Sequence, residues 1–252
     1  MLIIGLTGGI ATGKSTIAQM FRDRDIPLHD ADAAVHELLG PNGLAVPMVI
    51  AEFGADMQLP DGAIDRAMLG RLVFNDPEKR RQLESILHPL VADHRDHFLD
   101  AQRGLGARFV ILDIPLLFEV GGDDLCDYII LAYAGSAKQY ERAMARPAMD
   151  DPKLRGILQS QIPIAEKVSK ADLVLNTETS IAKTDAEVSR VQKDNRDVIV
   201  YSVAEIGRII GAWREHEEAK TLDAIKRTFD GAIVEEVKPK ITEAMLNDEI
   251  PF

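Results

Sequence analysis

Residues 5–16 read GLTGGIATGKST, directly behind an apolar start, MLII. Within them Gly8, Gly13, Lys14 and Ser15 stand at the spacing of a phosphate-binding loop, G-x-x-x-x-G-K-S. The chemistry asks for these residue types. Glycines let the backbone turn tightly and bring N–H groups toward phosphate oxygens. The positive end of a helix beginning near Lys14 adds to that field. Lys14 is placed to reach the outer phosphates as a point charge, and the Ser15 hydroxyl to coordinate magnesium, with Thr16 beside it. Gly9, Ala11, Thr12, Gly13, Lys14, Ser15 and Thr16 are therefore the candidate ATP contacts, and Ser15 is the candidate metal ligand.

The surroundings of the loop decide the fold. LIIGLT, before it, is a short apolar run of the kind that forms a buried strand. KSTIAQMFRDR, after it, puts Ile17, Met20 and Phe21 on one helical face. IPLHDAD then reads as a second strand ending in acid, so the chain opens as a parallel α/β sheet. From about residue 33 to 106 the pattern is mostly helical, with a helix start at NDPEK: Asn75 or Asp76 as cap, Pro77 in the first turn. RFVILD, YIILAYA and DLVLNT supply three more strands, the first ending at Asp113. Between the last two, Pro147 stops one helix, Asp150 caps the next and Pro163 breaks it. SRVQKDNRDV, from Ser189 on, is polar and reads as a joint, followed by a mostly helical extension with a mobile acidic end.

Composition narrows the function classes. A net charge of −12 disfavours a broad grip on nucleic acid or anionic membrane, while leaving room for a local basic pocket. The single cysteine, Cys126, leaves no intrachain disulfide and reads as a small half-buried residue, which fits a cytoplasmic setting. No apolar run approaches bilayer length, and MLIIGL lacks the basic start of a leader.

Two further groups carry chemistry. HDAD, residues 29–32, lies where a doubly wound sheet presents its strand ends to the phosphate crevice. There Asp32 is the candidate base for an attacking hydroxyl and Asp30 the supporting acid; the competing reading makes them caps of the next helix. Asp113 is followed by Ile114 and Pro115, not by the glutamate of a water-activating ATPase, which favours a kinase. Arg142 and Arg146, four apart in ERAMAR, share a helical face and suit a basic lid over ATP, or else a solvated charged surface. Lys79, Arg80 and Arg81 form a second basic knot, read as solvated surface, and His88-Pro89 reads as a helix break with a buried histidine.

Taken in order, GLTGGIATGKST, HDAD, ILHPLV, DIPLLFE, ERAMARPAM and SQIPIAEKVSKADLVLNT resemble the dephospho-coenzyme A kinase family over roughly residues 1–190. The resemblance implies ATP- and magnesium-dependent phosphorylation of the ribose 3′-hydroxyl of dephospho-coenzyme A, the last step of coenzyme A synthesis. It implies an α/β P-loop kinase: a parallel five-stranded sheet flanked by helices, a helical substrate-binding insertion and a lid. The kinase domain would span residues 1–195, with the insertion at about 33–106 and the lid at about 138–168; residues 196–252 form the added extension. By this resemblance Asp32 is the base, Lys14 and Ser15 are the phosphate and magnesium ligands, Arg142 is a lid residue, and His88 binds substrate. Arg146 and Asn176 are expected near the nucleotide. Two departures stand out. Ala11 replaces the family's usual glycine, which implies a slightly reshaped loop. NTETS lacks the glycine that often follows the fifth strand, leaving the adenine-side contacts of Asn176 and Thr177 open.

Two other functions compete. One is a nucleoside or deoxynucleoside monophosphate kinase on the same scaffold. The other is an interaction module whose ending, LNDEIPF, similar to the acidic tip of bacterial single-stranded-DNA-binding proteins, docks replication proteins through Phe252 with help from Asp248 and Glu249.

Overall fold

The structure is a computed structural model and describes residues 1–74 and 76–193. The extension at 196–252 and the LNDEIPF ending lie outside the described residues. Among the described residues five strands form the parallel sheet that the sequence predicts, and their order is β2-β3-β1-β4-β5. They are β1 (Leu2–Gly8), β2 (Leu28–Asp30), β3 (Phe109–Asp113), β4 (Tyr128–Tyr133) and β5 (Leu173–Asn176). The chain divides into two compact units. One holds residues 1–2 and 27–114; the other holds residues 3–26 and those from 115 onward.

The first unit carries β2, β3 and the helical insertion. Leu28, His29 and Asp30 pair with Ile111, Leu112 and Asp113, so two carboxylates end neighbouring strands side by side. Helices α2 (Ala31–Leu38), α3 (Val46–Phe53), α4 (Arg66–Phe74) and α5 (Pro77–Gly104) follow. Leu38, Val46, Val49, Ile64, Leu69 and Leu87 bury one apolar cluster among them. Asp76, rather than Asn75, caps α5: its side chain accepts the N–H groups of Glu78 and Lys79, with Pro77 in the first turn. The expected break at His88-Pro89 is absent. The helix runs 28 residues straight through Pro89, and His88 is exposed, not buried. A mid-helix proline costs roughly 3 kcal/mol. Leu83, Ile86 and Leu87 before it and Leu90 and Val91 after it all pack on the same cluster, which offsets that cost.

The second unit carries the opening loop. Ile4 through Gly8 of β1 pair with Tyr128 through Ala132 of β4, and β4 pairs in turn with β5. Around them lie α1 (Lys14–Arg22), α6 (Ser136–Met144), α7 (Asp151–Gln159), α8 (Ile164–Lys170) and α9 (Ile181–Lys193). Ile17, Met20 and Phe21 are buried on α1, and Asp150 caps α7 by accepting the N–H of Lys153, both as predicted. The joint expected from Ser189 on starts too early, because helix α9 continues to Lys193. Its apolar residues Val188 and Val191 are buried. Its polar residues break the pattern because they are used: Arg24, in the turn after α1, donates to the Asp185 carboxylate and the Ser189 hydroxyl, both at 2.7 Å.

Candidate active site

The loop leaves β1 at Gly8 and closes onto α1 at Gly13. A methyl group on Gly8 would meet Thr12 Oγ1 at 2.7 Å and the Ala132 carbonyl at 3.0 Å, so the strand end admits glycine alone. Gly13 has φ +88°, the left-handed conformation glycine adopts at no steric cost. Thr12 Oγ1 donates to the Gly9 carbonyl at 2.9 Å, closing the turn. The leading N–H groups of a helix lack intrahelical acceptors, which suits such an end to phosphate oxygens; at α1 the Thr16 N–H turns back onto the Gly13 carbonyl at 3.0 Å. Ser15 and Thr16 are exposed there, and Lys14 begins the helix.

Ala11 stands at φ +58°. The alanine is held in the left-handed region, at a cost on the order of 1 kcal/mol. Its methyl is 7% exposed and packs with Ala143 and Leu154.

Arg142 and Arg146 separate. Helix α6 ends at Met144, so Arg146 sits beyond its cap, exposed in a turn, and shares no helical face with Arg142. Arg142 is not on a solvated face paired with Glu141, whose carboxylate binds Lys138 instead. It forks onto Thr177, giving 2.8 Å to Oγ1 and 2.7 Å to the carbonyl. Thr177 Oγ1 lies 2.7 Å from the Thr12 carbonyl and 3.0 Å from that of Tyr133, and its one proton serves the two. Arg142, Thr177 and Thr12 thus form a chain into the loop. Asn176 is buried, and its side-chain oxygen accepts the N–H of Glu178, fixing the turn after β5.

Four side chains without an assigned role in the sequence also belong to this assembly. Gln139 Nε2 donates to the Ile10 carbonyl at 2.8 Å, and the Ile10 N–H donates to Gln161 Oε1 at 3.4 Å. Glu119 Oε1 accepts the N–H of Ile162 at 3.0 Å and lies 2.5 Å from Lys167 Nζ. The motifs DIPLLFE and SQIPIAEK hold Glu119, Gln161 and Lys167, and Gln139 stands just ahead of ERAMARPAM, but nothing local shows that they meet.

In the other unit, Asp30 and Asp32 flank the start of α2. Asp30 Oδ1 accepts the N–H of Ala33 at 3.0 Å, so the capping reading holds for Asp30. Asp32 is exposed in the first turn and presents its carboxylate to solvent. The α5 histidine that reaches this strand is His94, not His88. His94 Nδ1 lies 3.0 Å from His29 Nε2, and its Nε2 lies 3.4 Å from Glu37 Oε2. Burial, with His94 and Arg95 nearby, lowers the pKa of His29 to about 4, against a small opposing pull from Asp30. The basic knot is surface, as read: Arg81 pairs with Glu78, and Arg80 donates to the Phe74 carbonyl.

Comparison with known proteins fits this geometry. The sequence model of the family described as dephospho-CoA kinase matches residues 2–183. A dephospho-CoA kinase from Rhizobium etli is 46% identical over 191 residues, 76% of this chain and 92% of that protein. One from Mesorhizobium japonicum is 42% identical over 191 residues, 76% of this chain and 95% of that protein. Among solved structures, a Thermus thermophilus protein superposes with a TM-score of 0.63 at 31% identity, covering 77% of this chain and 97% of its own. Dephospho-CoA kinase from Campylobacter jejuni gives 0.58 at 28%, covering 76% and 96%.

Proposed function

The chain belongs to the dephospho-CoA kinase family, and we propose that it transfers the γ-phosphoryl group of ATP to the ribose 3′-hydroxyl of dephospho-CoA, giving CoA and ADP. The observation that carries this reading is the loop between β1 and α1: its glycine approaches, its left-handed turns and its helix start suit a triphosphate. In phosphoryl transfer the protein's work is mostly positioning and charge stabilisation. Loop amides and the Lys14 ammonium hold the β- and γ-phosphates and offset charge as the bond to the leaving oxygen breaks. Asp32 takes the proton of the attacking hydroxyl. Arg142 holds Thr177 and through it the loop. Arg146 and Asn176 remain candidate nucleotide contacts, and Asp30 and His88 candidate substrate contacts.

Magnesium suits the residues present. The exposed Ser15 hydroxyl is a hard oxygen donor, and magnesium is commonly held by one or two protein oxygens plus substrate phosphates and water. When bound, the ion supplies charge neutralisation across the phosphates. The domain reading is kept as proposed: insertion at about 33–106, lid at about 138–168, kinase domain ending near residue 195. A cytoplasmic location accords with CoA synthesis, and no helix among the described residues is long and apolar enough to cross a membrane. The acidic Ile-Pro-Phe ending is a candidate protein-docking tail, on sequence alone.

The test is purified chain with ATP, magnesium and dephospho-CoA, following ADP release and the gain of one phosphoryl group by mass spectrometry. Adenosine and cytidine monophosphates serve as competing acceptors. CoA as the dominant product is expected. A folded protein that prefers a nucleoside monophosphate overturns the assignment.

A further inference from the structure

Ala11 raises a physical question. Alanine prefers negative φ, yet here it stands at +58° in the middle of the phosphate loop. The packing of its methyl on Ala143 and Leu154 fixes the side chain but does not fix which way the neighbouring peptide points. The groups that do are two side-chain amides. Gln139 Nε2 donates to the Ile10 carbonyl, and Gln161 Oε1 accepts the Ile10 N–H. The backbone leaves no ambiguity about how each amide is turned, since a carbonyl only accepts and an N–H only donates. A methyl built on Gly9 would meet the same two amides at 3.1 and 3.3 Å, so both press closely on this edge of the loop.

The peptide unit joining Ile10 to Ala11 contains the Ile10 carbonyl and the Ala11 N–H, which point in opposite directions in a planar trans peptide. Gln139 holds the carbonyl on its own side, so the Ala11 N–H faces away from the clamp. A flip of that peptide would exchange a donor for a carbonyl oxygen on the face where an anion is held. The two amides are themselves anchored. Gln139 lies on α6, one turn before Arg142, which is forked onto Thr177. Gln161 precedes Ile162, whose N–H is held by Glu119 beside the buried Lys167.

We propose that Gln139 and Gln161 are positioning residues of the nucleotide site: together they hold Ile10 so that Ala11 keeps its left-handed turn and its N–H stays available to the triphosphate. The proposal rests on the phosphate-loop reading above. It makes the loop's readiness for ATP depend on the segment from α6 to α8, not on the loop sequence alone. Glycine adopts positive φ as readily as negative. A glycine at position 11 would need the clamp less.

The test uses the full chain, with ATP affinity read by calorimetry and by steady-state kinetics. Gln139→Ala and Gln161→Ala are each expected to raise the Kd and KM for ATP about three- to tenfold, the scale of one lost hydrogen bond. The KM for dephospho-CoA and the thermal midpoint should move little. Ala11→Gly added to Gln139→Ala is expected to restore at least half of the lost ATP affinity, a rescue that general destabilisation would not allow. ATP affinity within twofold of the parent in both single variants overturns the proposal. So does a loss that Ala11→Gly leaves unrepaired. Direct ATP binding keeps this test separate from the kinase reading: a parent that binds ATP but makes no CoA sinks that reading and leaves the clamp standing or falling on the variants.

Discussion

Lys167 Nζ lies 2.5 Å from Glu119 Oε1, and the ammonium-bearing side chain is 1% exposed. Neither Lys167 Nζ nor Glu119 Oε2 makes a hydrogen bond, so charge rather than alignment holds the pair. Removing one member strands the other in a poorly solvated place. Lys167→Met is expected to cost about 3–5 kcal/mol, as for other broken buried pairs. Lys167→Met with Glu119→Gln should recover most of that loss, since the stranded charge is gone and a neutral oxygen still accepts from Ile162. Urea unfolding of the three proteins checks this. A double variant as unstable as the single one would mean that packing, not charge, sets the cost.

His29 gives a pH dependence. Its folded pKa of about 4 lies below the ordinary 6.5, so the unfolded chain takes up the proton first as pH falls. The neutral buried imidazole therefore costs nothing above pH 6.5. Stability falls between 6.5 and 4, by at most about 1.4 kcal/mol per pH unit from this group, and levels off below 4. His29→Phe should flatten the slope in that window, with His94 and Phe98 left to pack on the new ring. Denaturant midpoints from pH 7.5 to 4 measure it, and an unchanged slope removes His29 as the cause.

How far the sequence foretold this molecule depends on the range of each interaction. Strand β1, the loop and α1 are specified by neighbours in the chain: an apolar run, left-handed glycines, an amphipathic face. Asp150 and Asp76 cap their helices through groups two or three residues away, and both were legible for that reason. Pro89 departs from its local reading because the apolar cluster on either side of it outweighs the local cost. Arg146 leaves the helical face of Arg142 because α6 ends two residues before it, and i,i+4 spacing holds only within a helix. Gln139, Gln161 and the Glu119–Lys167 pair carry no role in the sequence, and the Arg142–Thr177 fork is not legible there, because each acts across 35 or more residues of chain. Resemblance supplies the motifs that contain all of these but Gln139, and only folding shows which atoms they touch.

Thr177 Oγ1 sits between the Arg142 fork and the Thr12 carbonyl. Thr177→Val keeps the shape and removes the hydroxyl, leaving a guanidinium donor and a loop carbonyl without it. A loss of about 1–3 kcal/mol is expected, since one partner is charged. The KM for ATP should rise more than that for dephospho-CoA. Thr177→Ser restores both hydrogen bonds and should restore affinity. Arg142→Lys is not a conservative change here, because an ammonium cannot fork onto two acceptors in the same way. Kinetics in both substrates, with thermal midpoints, separate these outcomes. Equal effects of Val and Ser at position 177 would show that the hydroxyl is idle.

Asp30 and Asp32 are two residues apart, yet the structure gives them different work. Asp30 caps α2 by accepting the Ala33 N–H; Asp32 is exposed in the first turn. Asparagine caps about as well as aspartate, whereas alanine costs about 1 kcal/mol. Asp30→Asn is therefore expected to be stable, and Asp30→Ala to lose about that much. Asp32 should show the opposite profile. Asp32→Asn leaves stability unchanged but lowers kcat by a hundredfold or more, the scale of a lost general base, with KM for both substrates little altered. If Asp30→Asn proves the slower enzyme, the proton passes to the capping carboxylate instead. The base would then be the residue paired in register with Asp113.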